Sequence, residues 1–366
     1  MATRLRADIE ALAAIERGSA SAGERRSAEW IAGRLREQGG EEIRLQSFPY
    51  QGTFAHAQAL HYAAGLFAAL SGRRALAAAA LFSFELDFSG RFQWLRRLLP
   101  KGEGTNVSAR LPARGVHLRT VVLVAHHDAA RTGLMWDPRL TGPGDRAAAR
   151  SGKRASLALL PELAFMAAAA LGWRKLPAAV LALAAAMALD QARSPTVPGA
   201  NDNASGVAAV LEMVGRLAAE RPDGVALIAL FPGCEESGMG GMAAWLESEE
   251  AKTLDPERTL VVGLDTVGSG EPVVLEGEAG LWTTRYRDEH VAAAERLGLR
   301  RWRAGGWTDP ALARFAGLPA VSILSVHEGG FPHYHLPSDT PEKVDIGCVE
   351  RCLEAAIDLA VRGPSV

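Results

Sequence analysis

The chain has 366 residues with 40 Lys+Arg against 42 Asp+Glu, a net charge of −2 at neutral pH. With charged residues at 22%, no global basic field invites nucleic acid. Three cysteines give no even-numbered disulfide framework, and the length allows one large core or two modest ones.

Residues 3–17 and 24–38 carry apolar positions at i, i+3 and i+4 spacing and predict two helices, the second ended by Gly39-Gly40. The first helix has charges throughout and lacks the uninterrupted apolar core of a signal peptide, so the expectation is a cytoplasmic start. Ile43 to Tyr50 reads as a strand. Val116 to Ala125 reads as a stronger one, its second half a continuous apolar run as in a buried parallel strand. A helix is expected over 203–220, strands over 225–231, 259–264 and 320–324, and helices over 239–250, 287–297, 310–316 and 346–361. Cys348 and Cys352, one turn apart on the last of these, read as core thiols. Alternating strands and helices predict an α/β fold: one catalytic domain, 1–366, with a mainly parallel central sheet and helices on both faces.

Two stretches break the alternation, within insertions at 51–103 and 131–197. Residues 54–84 and 157–189 each read as an apolar helical hairpin with a basic turn, Ser71-Gly72-Arg73-Arg74 and Gly172-Trp173-Arg174-Lys175. Each arm is shorter than the roughly 20 residues a spanning helix needs. Yet helices this uniformly apolar show no face for water. Two readings stay open: an apolar helical subdomain made by the paired hairpins, or entry into a membrane.

Five short motifs carry the chemistry. In AHHD, His126 and Asp128 are two apart at a strand end and leave on the same face, so His126 can bind a metal while Asp128 fixes its tautomer. His127 points the other way and is the weaker ligand. GANDNASG places Asp202 in a polar turn before a helix, where it can cap the helix or bridge two cations. Glu235-Glu236 follow the strand VALIALF. On extended backbone adjacent carboxylates point apart, so one can bind metal while the other serves as general base. Asp265 ends the strand TLVVGL, and His335 lies in the proline-rich loop HYHLPSDT. Each is weak alone; their order and their shared place at strand ends make the set strong.

That order resembles the di-zinc aminopeptidase family, metallopeptidase family twenty-eight, which includes bacterial leucyl and arginyl aminopeptidases, glutamate carboxypeptidases and glutaminyl cyclases. The stretches RGSASAGERRSAEWIAGRLREQGGEEIRLQSF and Thr105-Asn106-Val107 are similar to the family's opening. The resemblance implies two zinc ions per chain: His126, Asp202 and Asp265 around one, and Asp202, Glu236 and His335 around the other. It further implies Glu235 as general base, Asp128 as partner of His126, and a peptide with a free N-terminus as substrate. Two departures stand out. The long segment between the first two motifs replaces a short connection, and Thr308-Asp309-Pro310 stands where the family often has Ser-Asp-His. The expected function is a metallo-aminopeptidase. Its alternatives are a single-zinc, glutaminyl-cyclase-like transferase and an inactive membrane-associated scaffold of the same fold.

Overall fold

The computed structural model describes residues 1–143 and 160–362. Residues 157–159 of the second predicted hairpin lie outside the described residues. Two helices open the chain, α1 (Ala2–Ala13) and α2 (Ala22–Glu37), as the apolar spacing predicts. Leu5, Ile9 and Leu12 form the buried stripe of the first, and Ala28, Ile31 and Leu35 that of the second. Ser21 caps α2 by accepting from Gly23 N and Glu24 N.

The sheet contains β1 (Glu41–Tyr50), β2 (Gly102–Leu111), β3 (Arg114–Val124), β4 (Asp223–Phe231), β5 (Thr259–Leu264), β6 (Glu271–Ala279), β7 (Thr283–Arg285), β8 (Arg300–Ala304) and β9 (Ala320–Val326). Its order is β1-β2-β4-β3-β5-β9-β6-β7, with β8 also on β6. The centre, β4-β3-β5-β9, is parallel, and every residue of β5 and β9 is buried. That double-sided burial is why these strands read as continuous apolar runs. Antiparallel pairs flank the centre: β2 against β1 and β4, and β6 against β9 and β7. The sheet is therefore mixed around a parallel centre. Strands β2, β6, β7 and β8 carry many polar residues, so alternation did not reveal them.

Helices α7 (Gly206–Ala219) and α12 (Ile346–Arg362) pack with α1 and α2 against this sheet. A second group includes α8 (Gly240–Leu246) and α11 (Asp309–Phe315); α10 (Asp288–Arg296) lies beside β6 and β8. The helix expected over 239–250 is broken in two, because Ser248 is extended and caps a new turn, α9 (Glu249–Lys252). Cys348 and Cys352 are fully buried core thiols.

The apolar stretches form α3 (Ala55–Ser71), α4 (Arg74–Phe88), α5 (Leu160–Ala170) and α6 (Lys175–Gln191). They pack on one another around two clusters of their own. One contains Tyr62, Phe84, Met166 and Leu181; the other is all alanine: Ala68, Ala69, Ala77, Ala169 and Ala178. Gly65 sits where a Cβ would lie 3.0 Å from Leu181 Cδ1, so α3 and α6 approach closely. No described helix is long and apolar enough to cross a membrane.

Candidate metal centre

All seven residues singled out in the sequence converge beyond the carboxyl ends of the parallel strands, where an α/β sheet leaves its crevice. His126 and Asp128 follow β3, Asp265 follows β5, Glu235 and Glu236 follow β4, and Asp202 and His335 come from loops on either side. Glu235 and Glu236 do not stand on extended backbone. Beyond β4 the chain turns sharply through Cys234, at φ +56°, and both Gly238 N and Met239 N donate to Glu235 O. The two carboxylates diverge because of this turn, not because of strand alternation.

The geometry centres on Asp202. One of its oxygens, Oδ1, lies 3.3 Å from His126 Nε2, and the other, Oδ2, lies 3.2 Å from His335 Nε2. Asp265 Oδ1 lies 3.8 Å from His126 Nε2, and Glu236 Oε2 lies 3.1 Å from His335 Nε2. Asp202 therefore faces both imidazoles, one oxygen to each. Donor atoms of His126, Asp202 and Glu236 all lie within 4.8 Å of one another. Glu235 Oε2 also lies 3.8 Å from His126 Nε2, the same separation as Asp265 Oδ1, and its side chain is 12% exposed.

Asp128 is fully buried. Its Oδ1 lies 3.4 Å from His126 Nδ1 and accepts from Glu235 N at 3.0 Å; its Oδ2 accepts from Glu236 N and from Ser19 Oγ. One carboxylate thus faces the first imidazole and holds both glutamate amides. His127 faces away, bonded to Ser27 Oγ and Thr105 O, and burial lowers its pKa to about 4. It is a neutral structural histidine.

The surrounding clamps were not legible as separate signals. Asp339, in the same loop as His335, accepts from Asn201 N and Asp202 N. Arg17 donates to the carbonyls of Pro198 and Gly199. Asn203 donates to Leu264 O and accepts from Gly206 N, tying the Asp202 turn to the end of β5. Residue 206 must be glycine here: a Cβ would lie 2.3 Å from Asn203 Oδ1 and 2.4 Å from Leu264 O. Glu24 accepts from Thr105 N and Cys234 N beneath the Glu235 turn. Asp339, Arg17 and Glu24 all lie inside the quoted motif stretches, which is the signal that could have found them. Trp136 gave no such signal. It stands edge-on to His335 with ring centroids 4.2 Å apart, while Tyr334 stacks on the same imidazole at 3.8 Å.

Both insertions reach this centre. The second leaves after Asp128 and returns before Asp202, its stem paired through Val197 N to Ala130 O and Thr132 N to Pro195 O. It carries Trp136, and Asp190 at the end of α6 accepts from Leu134 N. From the first, Gln93 and Arg96 donate to Gly238 O and Ser237 O, bracing the glutamate turn; Arg96 is itself held by a buried ion pair with Asp87.

The electrostatics favour cations. Burial pushes the Glu235 carboxyl well above its usual range, opposed by His126 and reinforced by Asp309, Glu236 and Asp265. Burial also raises Glu236 to about 7 and, with Asp128 and Asp265 nearby, Asp309 to about 8. Although burial alone would lower them, the carboxylates raise His335 to about 9 and His126 well above its ordinary value. Burial alone would raise Asp202, but the two imidazoles hold it below the carboxylate range. Glu236 Oε1, Asp265 Oδ1 and both ring nitrogens of His335 are buried without hydrogen-bond partners. Unpartnered buried donors around excess negative charge fit divalent cations.

Residues 185–360 match the family model described as peptidase family M28. That match covers a little under half of the chain. It contains Asp202, Glu235, Glu236, Asp265 and His335, and the fold extends the likeness to the rest of the chain. The structure is similar to a Zn-dependent exopeptidase from Parabacteroides distasonis, with TM-score 0.58 and 12% identity over 99% of this chain and 98% of that one. It is similar to an aminopeptidase from Aneurinibacillus sp. strain AM-1, with TM-score 0.59 and 16% identity over 100% and 95%. A glutaminyl cyclase from Tannerella forsythia is also similar, with TM-score 0.57 and 15% identity over 99% and 98%. Comparison with curated proteins gave no match. At these identities the structures show a common fold; the M28 match is to residues 185–360.

Proposed function

We propose that this chain is a zinc-dependent aminopeptidase that removes N-terminal residues from peptides. The observation that carries the reading is the placement of Asp202, whose two oxygens face different imidazoles, each with its own further carboxylate. His126, Asp202 and Asp265 would hold one zinc, and Asp202, Glu236 and His335 a second. Bound there, zinc polarises a peptide carbonyl and lowers the pKa of water towards neutrality.

The chain's own groups do the rest. We assign Glu235 to neither donor set and give it the role of base beside His126. Its carboxylate takes the proton of the attacking water, and burial, by raising its pKa, suits it to return that proton to the leaving amine. Asp128 holds the Glu235 amide and faces Nδ1 of His126, so base and imidazole keep a fixed relation. Trp136, from the second insertion, and Tyr334, beside His335 in its own loop, form a wall over that imidazole. The second hairpin stem adjoins this wall, which supports a role for it in choosing peptides.

The decisive experiment pairs zinc content per chain with hydrolysis of an aminoacyl-amide panel, for wild type and Glu235→Gln. Two zincs in both proteins with hydrolysis lost only in the variant is the expected result. One zinc and no amide hydrolysis would replace this reading with the cyclase, and no bound metal with the inactive scaffold.

A further inference from the structure

The hairpin subdomain has two ends. At its base Gln191 bonds Thr53 and Asp190 bonds Leu134, joining it to the catalytic body. At the far end the two turns meet. Arg174 donates to Leu70 O across the hairpins, and Arg74 lies so close to Gly172 that a Cβ there would be 2.4 Å from its guanidinium. Helix α6 is 17 residues long, which sets this tip about 25 Å from the base.

The tip has an unusual composition. No acidic residue occurs in 55–84 or in 163–189, and the only Lys or Arg in both stretches are Arg73, Arg74, Arg174 and Lys175, all in the turns. Around them the large apolar side chains are turned outwards: Phe67 is 52% exposed, Leu70 58%, Leu171 76%, Trp173 60% and Leu176 52%. The reason lies inside. The fully buried core at this end is alanine, with Leu66 and Leu76 packed only at its edge, so the four helices lie close together. A protein surface in water seldom collects Leu, Phe and Trp around a cluster of cations with no acid to pair them.

We propose that this tip is a docking surface for an anionic lipid bilayer. Trp173, Leu171 and Leu70 would enter the headgroup boundary while the four cations meet the negative headgroups, the division of labour of an interfacial anchor. Charge complementarity selects this occupant: among the described residues the four cations form no ion pair, and an uncharged partner would leave them without a counter-charge. The contact is with the surface, since no described helix is long and apolar enough to cross.

The test is co-sedimentation of the full chain with phosphatidylcholine vesicles, with and without phosphatidylglycerol. Binding is expected only to the phosphatidylglycerol vesicles, and each cation removed should weaken it roughly fivefold. The charge reversal R73E/R74E/R174E/K175E should abolish binding, and Leu171→Ala with Trp173→Ala should weaken it at unchanged charge. Thermal melting checks that these variants fold. A salt titration of the wild type needs no variant and should release the protein as screening grows. Wild type that stays in the supernatant at low salt, or binding insensitive to both salt and charge reversal, overturns the proposal. Concentration-dependent dimers dissolved by the Leu171 and Trp173 substitutions, without vesicle binding, would assign the face to a second copy of the chain instead.

Discussion

The metal centre and the hairpin tip are electrostatic opposites. At the strand ends, carboxylates are packed inside the protein with two imidazoles and too little positive charge to balance them. At the tip, cations stand outside, around exposed apolar side chains, with no acid in residues 55–84 or 163–189. The first region withholds water from charge; the second presents apolar surface to water. Each is costly in isolation, and each is explained by a partner of opposite character: a cation in one case, an anionic surface in the other.

This contrast can be broken at its strong end first. Asp202→Ala removes the carboxylate common to both donor sets, and should reduce bound zinc per chain to near zero together with hydrolysis, as read by metal analysis. Retention of one full zinc would show that the sets are independent. Glu235→Gln should leave the metal in place and lower kcat by roughly 10²–10⁴. Asp128→Asn keeps the shape but weakens the orientation of His126 and the hold on both glutamate amides, so zinc affinity should fall roughly 10–100-fold in a chelator competition.

A subtler prediction concerns pH. Without metal, Glu236 is raised to about 7 and Asp309 to about 8, so the folded chain binds protons that the unfolded chain has already released. Stability held by these groups is present at acid pH and lost as pH rises towards 8. His335, raised to about 9, acts in the same sense: its contribution is full below the unfolded histidine value and lost as pH rises through about 9. Asp202, held low, contributes a constant amount across this window. The chelated protein should therefore melt at higher temperature at pH 6 than at pH 9, and added zinc should stabilise most at the higher pH. A flat profile would mean that the cluster does not carry excess buried charge.

The smallest effect belongs to the tip. Ala69→Leu overfills an alanine-only cluster and should cost about 1–3 kcal/mol in a denaturant titration, with hydrolysis of small amides unchanged.

The site was largely readable because its chemistry is tied to local sequence. A histidine or acid at the end of an apolar run lands at a strand end whatever the rest of the chain does, so His126, Asp265 and the Glu235-Glu236 pair could be placed without coordinates. The means by which the glutamates diverge was not readable, since the left-handed turn at Cys234 is selected by Asp128 and Glu24 from distant segments. Trp136 was invisible for the same reason: only packing of the insertion stem brings it onto His335.

What the sequence alone determined is the α/β alternation, the place of His126, Asp265 and the Glu235-Glu236 pair at strand ends and the apolar character of the two hairpins. Those follow from period, turn chemistry and composition, which act over a few residues. Only the tertiary structure decided that the sheet is mixed, that Asp202 gives one oxygen to each imidazole, and that two basic turns more than 90 positions apart form one tip. Such pairings depend on which distant surfaces bury each other, and no local pattern encodes that choice.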